Sequence, residues 1–288
     1  MAAPVSLPFG TGGKLTSVDV WSAAVVDTRP EFEQERDALL ALLAELPDER
    51  WASATSAGTW LVKDIALHLL DGDLTRLSAG RDGDSTGLLP NTGSDAEFAK
   101  LLAAKNERWL LATRYLSARV TRDLLTSSTA QLVIWTRAAD LRAPKRVTWA
   151  SDEPVPCWLD LARELTETWV HHQQIRHAVG LCTDSTRLPT VLRTFAWALP
   201  HHYRVHAPIG TQVEVDLDSG GVWSLTSSGA GQWSLESSSG SAGAASVRFT
   251  GEAAWRSFVG QHLPDNEVTT SGPRTLTEPV LQVRAIIT

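Results

Sequence analysis

Cysteine is almost absent from this 288-residue chain: Cys157 and Cys182 are the only two, beside one methionine and two tyrosines. So few thiols exclude a disulfide framework and a cysteine-rich metal site, and they suit a reducing cytoplasm. Long apolar runs are missing too, the longest spanning only Ala38 to Ala44, well short of the roughly 18 residues that a membrane helix requires. The first residues, Met1-Ala2-Ala3-Pro4-Val5, lack the basic patch and apolar core of a secretion signal. There is no surplus of basic residues either. Lysine and arginine number 26 against 33 acidic residues, a net charge of −7, which argues against nucleic acid as a partner. A cytoplasmic protein that binds neither nucleic acid nor membrane is expected.

What is present is a globular composition: 43% hydrophobic and 20% charged, with a mean hydropathy of −0.11. That excludes disorder along the whole chain. Tryptophan is over-represented at 12, and most of these rings are expected in cores, with a few left to line a pocket.

Helical spacing dominates the first 205 or so residues. Leu39, Leu42, Leu43 and Leu46 mark a helix over 31–46, opened by Pro30 and stopped by Pro47. A second helix is expected over 60–77, then a loop over 80–94 rich in Gly, Asp and Ser. Ser94 and Glu97 have the spacing of a capping box opening a third helix to about 116. A shorter helical stretch should lie between 119 and 141, the longest helix over 157–179 with Gly180 as its stop, and a fifth over 189–204. This order predicts an antiparallel helical bundle.

Beyond it the period changes to two. Val213, Val215 and Leu217, then Trp223 with Leu225, Trp233 with Leu235, and Val247 with Phe249 predict short antiparallel strands in a meander with Ser/Gly-rich turns. Helices over 252–260 and from 275 complete a small α+β unit. The expected division is 1–207 and 208–288. With no long apolar helix face left over, a monomer is expected.

One pairing on the longest helix carries chemistry. Glu167 and His171 are four apart, so both side chains leave one face of the helix and can hold the same divalent ion. His68, flanked by Leu67, Leu69 and Leu70 on the second helix, can complete a two-histidine, one-carboxylate set. Zinc suits such ligands, with nickel or iron as alternatives. Asp64 and Asp71, a turn on either side of His68, can orient its free ring nitrogen. His172 points about 100° away from His171 and is not expected to share the ion. No catalytic residue beyond the metal ligands is assigned.

Several motifs in order then become familiar: Trp60 with His68-Leu69; Asn106-Glu107-Arg108-Trp109; Val155-Pro156 and Trp158-Leu159 leading into Arg163-Glu164, Thr166-Glu167, Trp169, His171, Gln174-Ile175-Arg176 and Gly180; and Trp255-Arg256. Together they resemble the mycothiol-dependent maleylpyruvate isomerase family over nearly the whole chain. The resemblance implies a DinB-like four-helix bundle followed by a sterol-carrier-like α+β domain, with the family's metal triad falling on His68, Glu167 and His171. It also implies that the metal takes up the thiol of mycothiol, a low-molecular-weight cysteinyl pseudo-disaccharide, and that the thiolate attacks a small electrophile in an isomerisation or S-transfer. Two departures stand out. Gln174 occupies a place where many relatives carry Asp, and Gly260-Gln261 stands where a Gly-Arg pair is expected to position an acidic substrate, leaving Arg256 as the nearest guanidinium. Two other functions are compatible with the residues: a thiol-independent metal-hydroxide hydrolase or lyase, and a non-catalytic small-molecule-binding protein.

Overall fold

The computed structural model describes residues 20–285 apart from 91, 93, 94, 239, 241, 242, 264 and 265. Helices α1 (Arg29–Glu45), α2 (Val62–Arg76), α3 (Asp95–Thr113), α4 (Ala118–Arg137) and α5 (Cys157–Ala178) come first. A two-residue ladder of β1 (Pro144–Lys145) with β2 (Val155–Pro156) leads into α5. Helices α1, α2, α4 and α5 pack on one another as the bundle, and α3 lies against α2. The proposed capping residue Ser94 lies outside the described residues.

α5 is the central element. From Cys157 to Ile175 nearly every side chain is buried, as expected of a helix enclosed on all sides. Its end is a Schellman turn: Leu181 N–H donates to Arg176 O at 2.8 Å and Gly180 N–H to His177 O at 3.1 Å. Gly180 adopts φ +85° there, the left-handed conformation that glycine accommodates without cost.

α4 is longer than the sequence pattern suggests, 20 residues. Its Thr126-Ser127-Ser128-Thr129 run is a poor helix former alone, but Ser128 and Thr129 are buried and donate to Asp73, so tertiary contacts override local propensity. The expected fifth helix is interrupted. α6 (Leu188–Phe195) passes through a 3-10 turn, Ala196–Ala198, into α7 (Leu199–His202), where Pro200 contributes no N–H to the ladder.

Strands β3 (Gln212–Asp216), β4 (Val222–Gly229), β5 (Gln232–Ser237), β6 (Ala245–Phe249) and, after α8 (Ala253–Phe258), β7 (Val268–Ser271) form one sheet in the order β5-β4-β3-β6-β7. This corrects the expected meander. β6 pairs parallel with β3, Val215 opposite Val247, because the chain returns across the sheet after the β4–β5 hairpin. Period-two patterning sets which face a strand buries and not which neighbour it chooses. β7, Val-Thr-Thr-Ser, is an edge strand with no apolar alternation to reveal it. A short α9 (Arg274–Thr277) and a 3-10 turn, Glu278–Gln282, follow β7.

The largest core joins the sheet to α5 and α6. Val213, Val215, Leu225, Trp233, Val247 and Phe249 meet Trp158, Trp169, Val191 and Phe195. Trp158, Trp169, Trp233 and Trp255 are all fully buried, so many tryptophans do fill core space. A second core, Leu39, Leu43, Ile65, Leu69, Leu125 and Ile175 among others, lies within the bundle beside the metal-ligand candidates.

Candidate metal centre

α2 starts where Asp64 Oδ2 accepts the Leu61 backbone N–H at 2.9 Å, capping the helix. Its buried face carries Val62, Ile65, Ala66, Leu69 and Leu70, which seats α2 in the bundle and turns His68 toward α5. There His68 Nε2 lies 3.0 Å from Glu167 Oε1, and His171 Nε2 lies 3.2 Å from the same oxygen. One ligand atom from each of His68, Glu167 and His171 falls within 4.8 Å of the other two. The three residues that helical spacing singled out on two distant helices therefore converge.

His171 is 3% exposed and is held from behind: its Nδ1 lies 2.7 Å from Gln174 Oε1, one turn on. An amide oxygen only accepts, so Nδ1 carries the proton and Nε2 presents its lone pair to Glu167. A lone pair and a carboxylate oxygen thus face each other at 3.2 Å, an arrangement that a cation between them stabilises. Two imidazole nitrogens and one carboxylate, with Glu167 and His68 reaching the surface, fit zinc, nickel or iron with positions left open.

Trp60 forms the wall. Its ring centroid lies 4.9 Å from that of His68 and 6.2 Å from that of His171. A tight turn carries it there: Ala54 bridges Leu61, and Trp60 N–H donates to Ala57 O at 3.0 Å. Ser56, in the same turn, accepts from Gln261 Nε2 at 3.0 Å, so the loop after α8 is tied to the turn that carries Trp60. Sequence reasoning took Trp60 only as part of a motif, and no local signal tied Gln261 to Ser56, 205 residues away.

The expected partners of His68 are a correction. Asp64 caps α2, and Asp71 is ion-paired with Lys105 of α3. Neither bonds His68 Nδ1, which is buried without a hydrogen-bond partner. A carboxylate one turn along a helix can equally serve its own N-terminus or the next helix, and spacing does not distinguish these. Gln174 is placed behind His171. Arg256 is engaged elsewhere: its Nε donates to Glu252 Oε2 at 2.9 Å, and its guanidinium lies 5.6 Å from the Trp255 ring centroid. Among the described residues no hydrogen bond or ion pair joins Arg256 to the triad. His172 turns away as expected, its Nδ1 2.6 Å from the buried Glu35.

One turn before Glu167, the α5 backbone carries a charge cluster that the sequence reading passed over. Arg76 Nη2 reaches Asp160 at 2.8 Å and its Nε reaches Glu164 at 3.1 Å, while Arg163 pairs with the same two acids. Burial raises the Asp160 carboxyl, but the Arg76 and Arg163 charges outweigh it and bring it below its ordinary value.

A bundle with a histidine and carboxylate cluster between two of its helices, joined to a small mixed sheet, defines the class of this protein. Residues 32–176 match the family model described as the mycothiol maleylpyruvate isomerase N-terminal domain, and the chain belongs to that family. Two proteins of Mycobacterium tuberculosis, one from each of two strains and both described as uncharacterized, are 28% identical to it over 212 residues, covering 70% of this chain and 77% of theirs. The crystal structure of the mycothiol-dependent maleylpyruvate isomerase shares the fold, with a TM-score of 0.53 at 13% identity over 88% of this chain and 95% of that one. A histidine-to-alanine mutant of that enzyme gives 0.56 at 12% identity with the same coverage.

Proposed function

We propose that this chain is a divalent-metal-dependent, mycothiol-dependent S-transferase or isomerase acting on a small electrophile in the cytoplasm. The observation that carries the proposal is the opposed pair at 3.2 Å, His171 Nε2 and Glu167 Oε1, with His68 Nε2 on the same oxygen. His68, Glu167 and His171 would hold the ion, zinc first among the candidates. Bound there, a divalent cation supplies the positive charge that keeps a thiol, with an ordinary pKa of about 8.5, deprotonated at neutral pH.

The chain's own residues do the rest. Glu167 supplies the anionic oxygen that would offset part of the ion's charge. Gln174 fixes the His171 tautomer, so that Nε2 needs no proton transfer before it binds. Trp60 covers one side of both imidazoles and limits water on that side. Gln261, on the loop tied to the Trp60 turn, offers an amide where a guanidinium would hold a carboxylate, which favours an uncharged electrophile over maleylpyruvate.

The test follows loss of free thiol with an uncharged epoxide or quinone, and loss of maleylpyruvate separately, with and without mycothiol and with and without a chelator. Turnover that needs both metal and mycothiol is the expected result. Turnover without thiol would replace this reading with a hydrolase or lyase, and none on any electrophile would leave a binding protein.

A further inference from the structure

A hollow of about 200 Å³ lies at the far end of α2, walled by Leu74, Thr75, Ser78, Asp84, Thr86 and Leu88. Drug-sized ligands occupy pockets of about 300–1,000 Å³, so this one suits a single ring. Its floor is a widened turn, Leu77–Arg81, in which α2 continues as π-helix. The loop over it is pinned: Asp84 N–H donates to Ser78 O at 2.9 Å, and Thr86 donates to Asp84 Oδ1 through both N–H and Oγ1, at 3.0 and 2.7 Å.

The hollow shares a helix face with the metal-ligand candidates. His68, Asp71, Thr75 and Ser78 follow one another at steps of three, four and three residues, the spacing of neighbours on one side of a helix. Thr75 and Ser78 are therefore about 10 and about 15 Å from His68 along the axis. Lys105 lies over the middle of this stripe, paired with Asp71 and 3.5 Å from Thr75 Oγ1, so its charge is already neutralised.

We propose that this hollow binds the sugar end of the thiol cofactor, whose cysteinyl arm reaches back along α2 to the triad. The proposal rests on the thiol-dependent reading above. A reacting electrophile has to meet sulfur at the triad and is too far away here. A cofactor tethered at one end by its thiol needs a second contact of this kind. The lining matches the chemistry: the Thr75, Ser78 and Thr86 hydroxyls and the second Asp84 carboxylate oxygen partner ring hydroxyls, while Leu74 and Leu88 cover the C–H faces of the ring. The ligand class is a neutral polyhydroxylated ring.

Titration calorimetry on the full-length, zinc-loaded protein tests this with two probes, mycothiol and N-acetylcysteine, the second carrying the arm without the sugars. Gly87 is in the wall, and a Cβ added there meets no atom within 4 Å, so Gly87→Trp adds bulk at the hollow without a clash. Ser78→Ala removes one hydroxyl at nearly constant volume. Gly87→Trp is expected to weaken mycothiol at least about tenfold, Ser78→Ala to weaken it less, and both to leave N-acetylcysteine unchanged. Equal mycothiol affinity in wild type and Gly87→Trp would overturn the proposal while leaving the thiol reading intact. If neither probe binds the zinc-loaded wild type, the thiol reading itself fails and takes this proposal with it.

Discussion

Gln174 Oε1 and His171 Nδ1 meet at 2.7 Å across one turn of α5, and both residues are almost wholly buried. The amide sets which imidazole nitrogen faces Glu167. Gln174→Leu removes the acceptor and should lower metal affinity about 10- to 100-fold, with Gln174→Glu retaining most of it. Competition with a chromophoric chelator measures this. Equal affinity in all three proteins would show that His171 is oriented by packing alone.

Asp160 gives the acid limb of stability. Its folded pKa lies below its unfolded value because of Arg76 and Arg163. The stabilisation it contributes is therefore present above the ordinary aspartate value, about pH 4, and is lost as pH falls through the folded pKa. Asp160→Asn should cost about 3–5 kcal/mol at pH 7, and the gap from wild type should close on acidification. Urea unfolding at a series of pH values reads it; a gap independent of pH would contradict the assignment.

Trp169 of α5 and Trp255 of α8 stack edge to face, 5.6 Å between centroids at 89°, each fully buried. This contact ties the sheet's helix to the helix that carries Glu167 and His171. Trp255→Ala should destabilise by about 3–5 kcal/mol and leave the metal content of the folded fraction unchanged. Loss of metal at unaltered stability would contradict that separation.

How much of this was legible in the sequence depends on the range of the interaction. His68, Glu167 and His171 could be grouped because the helix period places Glu167 and His171 on one face and because a histidine among leucines is conspicuous. The Gly180 stop was legible because a Schellman turn is built from a few consecutive residues. The parallel pairing of β6 with β3 was not, since alternation fixes faces and leaves strand order open. Asp64 and Asp71 were misread for a related reason: a helix cap and an inter-helix ion pair require the same spacing as a bond to His68. The Gln261–Ser56 contact has no local signal at all, because each residue is an ordinary loop polar group until the fold brings the two together.

The central claim is that His68, Glu167 and His171 hold one divalent ion, and elemental mass spectrometry of the purified protein beside a His171→Ala variant tests it most directly. About one ion per chain in the wild type, lost in a variant that stays folded by circular dichroism, is the predicted result. No ion in the wild type after reconstitution with zinc, nickel or iron, or equal content in the variant, would contradict it.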